Sequence, residues 1–204
     1  LESDRRSLQP VRSAALLVGA GVEGADHEQG AMESLVPSVA MATGTGATAA
    51  TLRSLFGGSD LVHLAAHGSF RSDRPMLSTL QRADGPATRA AAVPDRVASR
   101  LVVLSSCEGG AQGTADGSEV LGLSAVLLAR GAAVVLAPLS AVRELECAEY
   151  VADVHRELAL GRPLGAAVAV VRTRWLAEDD LSRWAVASAF TCFGSGSVTV
   201  SAAR

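Results

Sequence analysis

The sequence contains no lysine: all 18 of its basic residues are arginine, spread along 204 residues without forming a basic block. With 21 acidic residues the formal net charge is −3. A nucleic-acid groove or an anionic membrane surface requires a concentrated positive patch, so neither is expected as a partner. Cysteine is also scarce. Cys107, Cys147 and Cys192 are too few and too scattered for a disulfide framework or a structural zinc site, so no metal or cofactor is expected and a reducing, cytoplasmic setting fits best. No apolar run reaches the ~18 residues of a spanning helix. A signal-peptide pattern is missing as well. The chain opens LESDRRSLQP with no initiating Met, which reads as a cut inside a longer protein. Aromatic residues make up only 3%, so the core has to be built from Ala, Val and Leu.

Those residues are plentiful. Hydrophobic content is 49%, enough for a sizeable core, and the length suits one domain over residues 1–204. Ala14 to Val18, Asp60 to Ala66, Leu101 to Ser105 and Ala132 to Ala137 are continuous apolar runs bounded by turn residues, and read as buried strands. Ser38 to Ala42 reads as a shorter strand, and Trp184 to Phe193 as a last one with an extension at Ser197 to Ser201. Helices are predicted over Glu28 to Leu35, Ala47 to Phe56, Glu119 to Arg130 (capped by Ser118), Glu144 to Leu160 and Leu164 to Leu176. Ser69 to Pro94 is punctuated by Pro and Gly and reads as irregular. Buried strands alternating with helices imply a mostly parallel central sheet covered on both faces, a three-layer α/β/α sandwich.

In such sheets ligands gather at the carboxyl ends of the strands. The first strand ends in GAGVEG, Gly19 to Gly24, which matches the dinucleotide fingerprint G-x-G-x-x-G. The match is weak. The residues that follow make a poor start to a Rossmann helix, and Thr43 stands where an acidic ribose ligand is needed. The strand ending AAHGSF places His67 and Gly68 past its buried run, and the next strong strand ends SSCEGG with Cys107. His63, inside the strand pattern, reads as a structural histidine, and Cys147 and Cys192 as core filling. His67 and Cys107 lie 40 residues apart, with one crossover between them. Strands so connected usually lie side by side or close, at ~4.8 Å when paired, so the two side chains can meet. An imidazole beside a thiol takes its proton or stabilises the thiolate, and that turns cysteine into a nucleophile. Gly68 and the Cys107 amide are candidate donors to an oxyanion. From the residues alone both readings of Cys107 stay open, core filling and nucleophile.

LVHLAAHGSFRSDRPMLSTL followed by RLVVLSSCEGG resembles the CHAT family of caspase-like cysteine peptidases, relatives of separases and gingipains. The pattern is a strand ending His-Gly, then a Pro and a Ser, then a strand ending Ser-x-Cys-Glu. Here these are His67-Gly68, Pro75, Ser78 and Ser105-Ser106-Cys107-Glu108. Thr43 to Leu55, Asp116 to Val142 and Trp184 to Gly196 resemble further family segments. The resemblance implies a caspase-like fold and a cysteine endopeptidase with His67 and Cys107 as the dyad and Gly68 at the oxyanion position. It also implies a protein or peptide substrate, and control by a repeat or sensor region elsewhere in its own chain, in a bacterial signalling or defence protein. Relatives cut after Asp or after a basic residue. Asp116, Glu119 and Glu144 are the acids that could face a basic side chain, although exposed acids are more often simply solvated. One segment departs from the pattern: where the family often has Trp-Pro-Val-x-Asp, this chain has Ser140-Ala141-Val142-Arg143-Glu144. A catalytically silent interaction module on the same fold is therefore the competing reading.

Overall fold

A computed structural model of the chain describes residues 10–19, 21–66, 68–69, 79–80, 87–88, 93–105 and 118–201. The four continuous apolar runs become the centre of one sheet: β1 (Ala14–Val18), β3 (Leu61–Ala65), β7 (Leu101–Leu104) and β8 (Val134–Pro138). Every residue of these strands is buried, as expected where helices cover both faces of parallel strands. β2 (Val39–Thr43) lies at one edge and β9 (Phe190–Gly194) at the other, in the order β2-β1-β3-β7-β8-β9. All pairings are parallel except β8 with β9.

Alternation along the strands divides the core in two. Leu16, Leu61, Val103 and Leu136 face a layer made by α1 (Ala25–Glu33), α4 (Glu144–Ala159), α5 (Leu164–Leu176) and α6 (Leu181–Ala189). Leu17, Val62, Val102 and Val135 face α2 (Ala49–Gly58) and α3 (Ser118–Ala129). The three-layer sandwich is thus observed. Three of the few aromatics form one cluster. Tyr150 stacks on Phe190 with centroids 4.9 Å apart, and meets Trp175 edge-on at 5.1 Å. All three are fully buried, and they fill the wide space where α4, α5 and β9 converge.

Several elements differ from the sequence reading, among them the extension expected at Ser197 to Ser201, where only Val200 bridges to Val11. Trp184 to Phe193, expected as a strand, is the end of α6 followed by β9. The Asp180 side chain accepts hydrogen bonds from the Ser182 and Arg183 amides, at 2.8 and 3.2 Å, and starts a helix there. Its buried Val186, Ala187 and Ala189 show why the apolar run deceived: a short run fits a strand and a helix face equally well. The segment expected as irregular holds three two-residue strands, β4 (Gly68–Ser69), β5 (Thr79–Leu80) and β6 (Ala87–Thr88), paired antiparallel as a second small sheet.

α1 begins at Ala25 rather than Glu28. Gly24, at φ 76° and ψ 3°, turns the chain into it. A Cβ on Gly24 would come within 2.7 Å of the Ala148 Cβ on α4. This glycine therefore serves both a left-handed turn and a close helix–helix approach. That accounts for the last glycine of GAGVEG without any bound nucleotide. Among the described residues no helix is long and apolar enough to cross a membrane.

Candidate active site

The opposite ends of β3 and β7 are pinned by different chemistry. At the amino end, Arg100 reaches back to Asp60, with Nη2 2.9 Å from Oδ1, and donates to the Pro10 carbonyl at 2.7 Å. Asp60 also accepts from the Arg12 amide at 2.9 Å. Burial alone would raise the Asp60 carboxyl. The Arg12 amide, the Arg100 guanidinium and the Ser13 contact outweigh it, and hold the group below the ordinary carboxylate range. These contacts tie the starts of β1, β3 and β7 together and so help to set their register. In that register Leu61 faces Leu101 and Leu64 faces Leu104.

At the carboxyl end the backbone ladder continues one step, with the Ser105 amide donating to the Leu64 carbonyl at 2.9 Å. Beneath this point lies a buried polar cluster. His63 Nε2 is 2.8 Å from Ser105 Oγ and 3.2 Å from Glu28 Oε1. His63 Nδ1 is 3.1 Å from His155 Nε2. His63 and His155 are completely buried, Glu28 is 1% exposed and Ser105 6%. Each comes from a different element: Glu28 from α1, His63 from β3, Ser105 from the end of β7 and His155 from α4. Burial first, and then the adjacent His63 ring, hold His155 well below the ordinary histidine range.

His63 was expected to be a satisfied structural histidine, and it is buried and hydrogen-bonded. The cluster around it escaped the sequence reading. A signal existed, because Glu28 and His155 lie in predicted helices and His155 follows the core residues Val151 and Val154. Nothing in the spacing, however, connects them to β3.

The other candidate residues fare unevenly. His67, Cys107 and Asp116 lie outside the described residues, as do Pro75, Ser78, Ser106 and Glu108. Gly68 opens β4, and faces Leu80 of β5. Glu119 is the second residue of α3, and Glu144 is the first of α4, half-buried, after the loop that leaves the carboxyl end of β8. Cys147 is buried and Cys192 partly so. Burial raises the Cys192 thiol above its ordinary value, with the nearby Arg172 opposing it. The Cys192 thiol thus lacks the environment of an activated thiol. Among the described residues no group of three or more His, Cys, Asp or Glu is arranged to hold a metal ion.

The model of the CHAT domain matches residues 4–195 of this chain. The chain belongs to the CHAT family. No curated protein matches the chain. Among solved structures, this CHAT domain is similar to the Arg-specific cysteine proteinase gingipain R (RgpB), with a TM-score of 0.65 at 13% identity. It is also similar to the complex of the pro- and mature domains of RgpB from Porphyromonas gingivalis, with a TM-score of 0.66 at 11% identity. The separase–securin complex of Saccharomyces cerevisiae matches with a TM-score of 0.58 at 14% identity. The alignments cover 97%, 97% and 90% of this chain, but only 52%, 53% and 12% of those chains. The CHAT domain thus has the caspase-like fold of these cysteine proteases, and spans about half the gingipain chains and a small part of separase.

Proposed function

We propose that this CHAT domain is a cysteine endopeptidase, with Cys107 as nucleophile and His67 as its base. The observation that carries this reading is the register of β3 and β7. These strands are adjacent and parallel, and facing residues such as Leu61 and Leu101 differ by 40 positions. His67 and Cys107, three residues beyond the facing pair Leu64 and Leu104, differ by the same 40. Equal advance past the ends of two strands ~4.8 Å apart favours two groups close enough to share a proton.

In the proposed reaction His67 accepts the Cys107 proton, and the thiolate attacks the peptide carbonyl carbon. The Gly68 and Cys107 amides donate to the oxyanion that forms. The C–N bond breaks as the imidazolium gives its proton to the leaving amine. Water, deprotonated by His67, then hydrolyses the thioester and restores the thiol. Asp116, Glu119 and Glu144 are the acids offered to a basic substrate side chain. Gingipain R, described as Arg-specific, makes arginine the first such residue to try. A single domain over 1–204, its control by a region elsewhere in a longer chain, and a cytoplasmic location belong to the same reading.

The test is mass-spectrometric profiling of peptide cleavage. Cys107→Ala and His67→Ala should each lower cleavage at least about a thousandfold, while Cys192→Ala leaves it unchanged. Cleavage that survives Cys107→Ala would remove the assignment. The second reading, a non-catalytic interaction module, is favoured by the altered segment Ser140 to Glu144. It requires partner binding that is indifferent to Cys107→Ala, with no cleavage of any peptide library.

A further inference from the structure

The buried cluster is an unusual thing to place between a sheet and its covering helices. Leu16 and Val103 flank His63 in the sheet, and Leu, Val and Ala fill the surrounding layer. An aliphatic side chain at position 63 would fit that pattern. Burying a carboxylate and two imidazoles costs solvation, and replacing a buried ion pair with apolar residues is often neutral or stabilising. Among the described residues both Glu28 oxygens and His155 Nδ1 also have no hydrogen-bond partner, Glu28 Oε1 approaching His63 Nε2 at 3.2 Å without hydrogen-bond geometry, a further cost. Stability alone therefore does not explain the cluster. Its location suggests another role. The His63–Ser105 contact joins β3 to β7 beside the last described backbone bond between them, from the Ser105 amide to the Leu64 carbonyl. Ser105 Oγ also lies 3.5 Å from that same carbonyl.

We propose that His63, held in place by Glu28 and His155, acts through Ser105 as a positioning residue that clamps the carboxyl ends of β3 and β7 at a fixed separation. The inference rests on the dyad reading above: Ser105 precedes Cys107 by two residues, and His63 precedes His67 by four. Both nitrogens of the His63 ring are engaged, Nε2 by Ser105 from the end of β7 with Glu28 of α1 beside it, and Nδ1 by His155 of α4. The ring therefore cannot turn away without breaking one of these contacts. Ser105 is thereby held on its neighbour through its side chain as well as its backbone. A clamp of this kind matters for thiol activation, because stabilisation of a thiolate by an imidazolium falls off with distance.

The experiment measures alkylation of Cys107 by iodoacetamide in the full chain across pH, read on the Cys107 peptide, together with urea unfolding. The variants are Ser105→Ala, Ser105→Thr, His63→Gln and His67→Ala. The expected wild-type profile has its midpoint below the ~8.5 of a free thiol. Ser105→Ala should move the midpoint up by about one unit, making alkylation roughly tenfold slower at pH 6.5. Ser105→Thr, which keeps the hydroxyl, should restore it, and His63→Gln should act as Ser105→Ala does. A merely structural role would lower the urea midpoint without moving the pH profile. A wild-type profile that is depressed and depends on His67, yet is unchanged in both Ser105→Ala and His63→Gln, would overturn the clamp and leave the dyad standing. A wild-type profile already at the free-thiol value and indifferent to His67→Ala would remove the dyad reading, and the clamp with it. Should Ser105→Ala not fold, His63→Gln and the Thr variant decide alone.

Discussion

At Gly194 the backbone takes φ 105°, and a Cβ there would lie 2.4 Å from the Ala133 carbonyl oxygen. The neighbour is backbone rather than a yielding side chain, so β8 and β9 cannot both keep their places around an alanine. Gly194→Ala should therefore destabilise the domain by more than 2 kcal/mol, about the level at which a single mechanism dominates a mutant's stability. A urea midpoint within error of wild type would contradict this. Asp60 is a different kind of residue. Its carboxylate is partly exposed, but its partner Arg100 is 5% exposed, and Asp60→Asn removes the charge from their 2.9 Å contact. A cost of about 1–3 kcal/mol is expected from weakening this charge-assisted hydrogen bond, measurable in the same titration.

The short helix α6 shows how much an element owes to its first residue. Asp180 supplies two hydrogen bonds to amides that the helix itself leaves without partners. Arg183, one turn in, reaches Glu149 on α4 at 2.8 Å and Glu178 at 2.6 Å, and lies over the Trp175 ring of α5 at 4.5 Å. The ion pairs are only half-buried and contribute modestly, so the cap and the buried Val186–Ala187 face carry most of the helix. Asp180→Ala should cost about 1 kcal/mol, and Asp180→Ser most of an order less, as seen in thermal unfolding. Much of the element map was legible in the sequence. β1 and α5 lie where their apolar patterns predict, and α4 ends one residue before its expected limit. The errors fall where local pattern is ambiguous. Trp184 to Ala189 is apolar enough for a strand, and only docking on α4 and α5 makes it a helix.

For the molecule as a whole, acid should act through two groups. The Asp60 carboxyl is held below its ordinary value in the fold, so its contribution is present above about pH 4 and is lost as pH falls through the lower folded value. His155 is also depressed. The unfolded chain binds a proton on it below about pH 6.5, while the folded chain, which buries it completely with His63 against its Nε2, does not. Stability should therefore be full above that pH, and fall as the solution is acidified, by at most about 1.4 kcal/mol per pH unit. His155→Gln should lower stability at pH 7 but flatten this slope between pH 6.5 and 5. An equally steep slope in the variant would assign the effect to other groups.

Continuous apolar runs alternating with helical segments were enough to indicate the layered α/β architecture of this protein, because parallel strands covered on both faces are apolar along their whole length. The motif residues pointed to the strand ends where chemistry is expected. Only the tertiary structure decided which strands are neighbours and in what register. It also brought Glu28, His63, Ser105 and His155 from four separate elements into one buried cluster. The physical reason is that a contact between residues distant in the chain leaves no periodic trace: it depends on strand order and helix docking, which are set by the packing of the whole core.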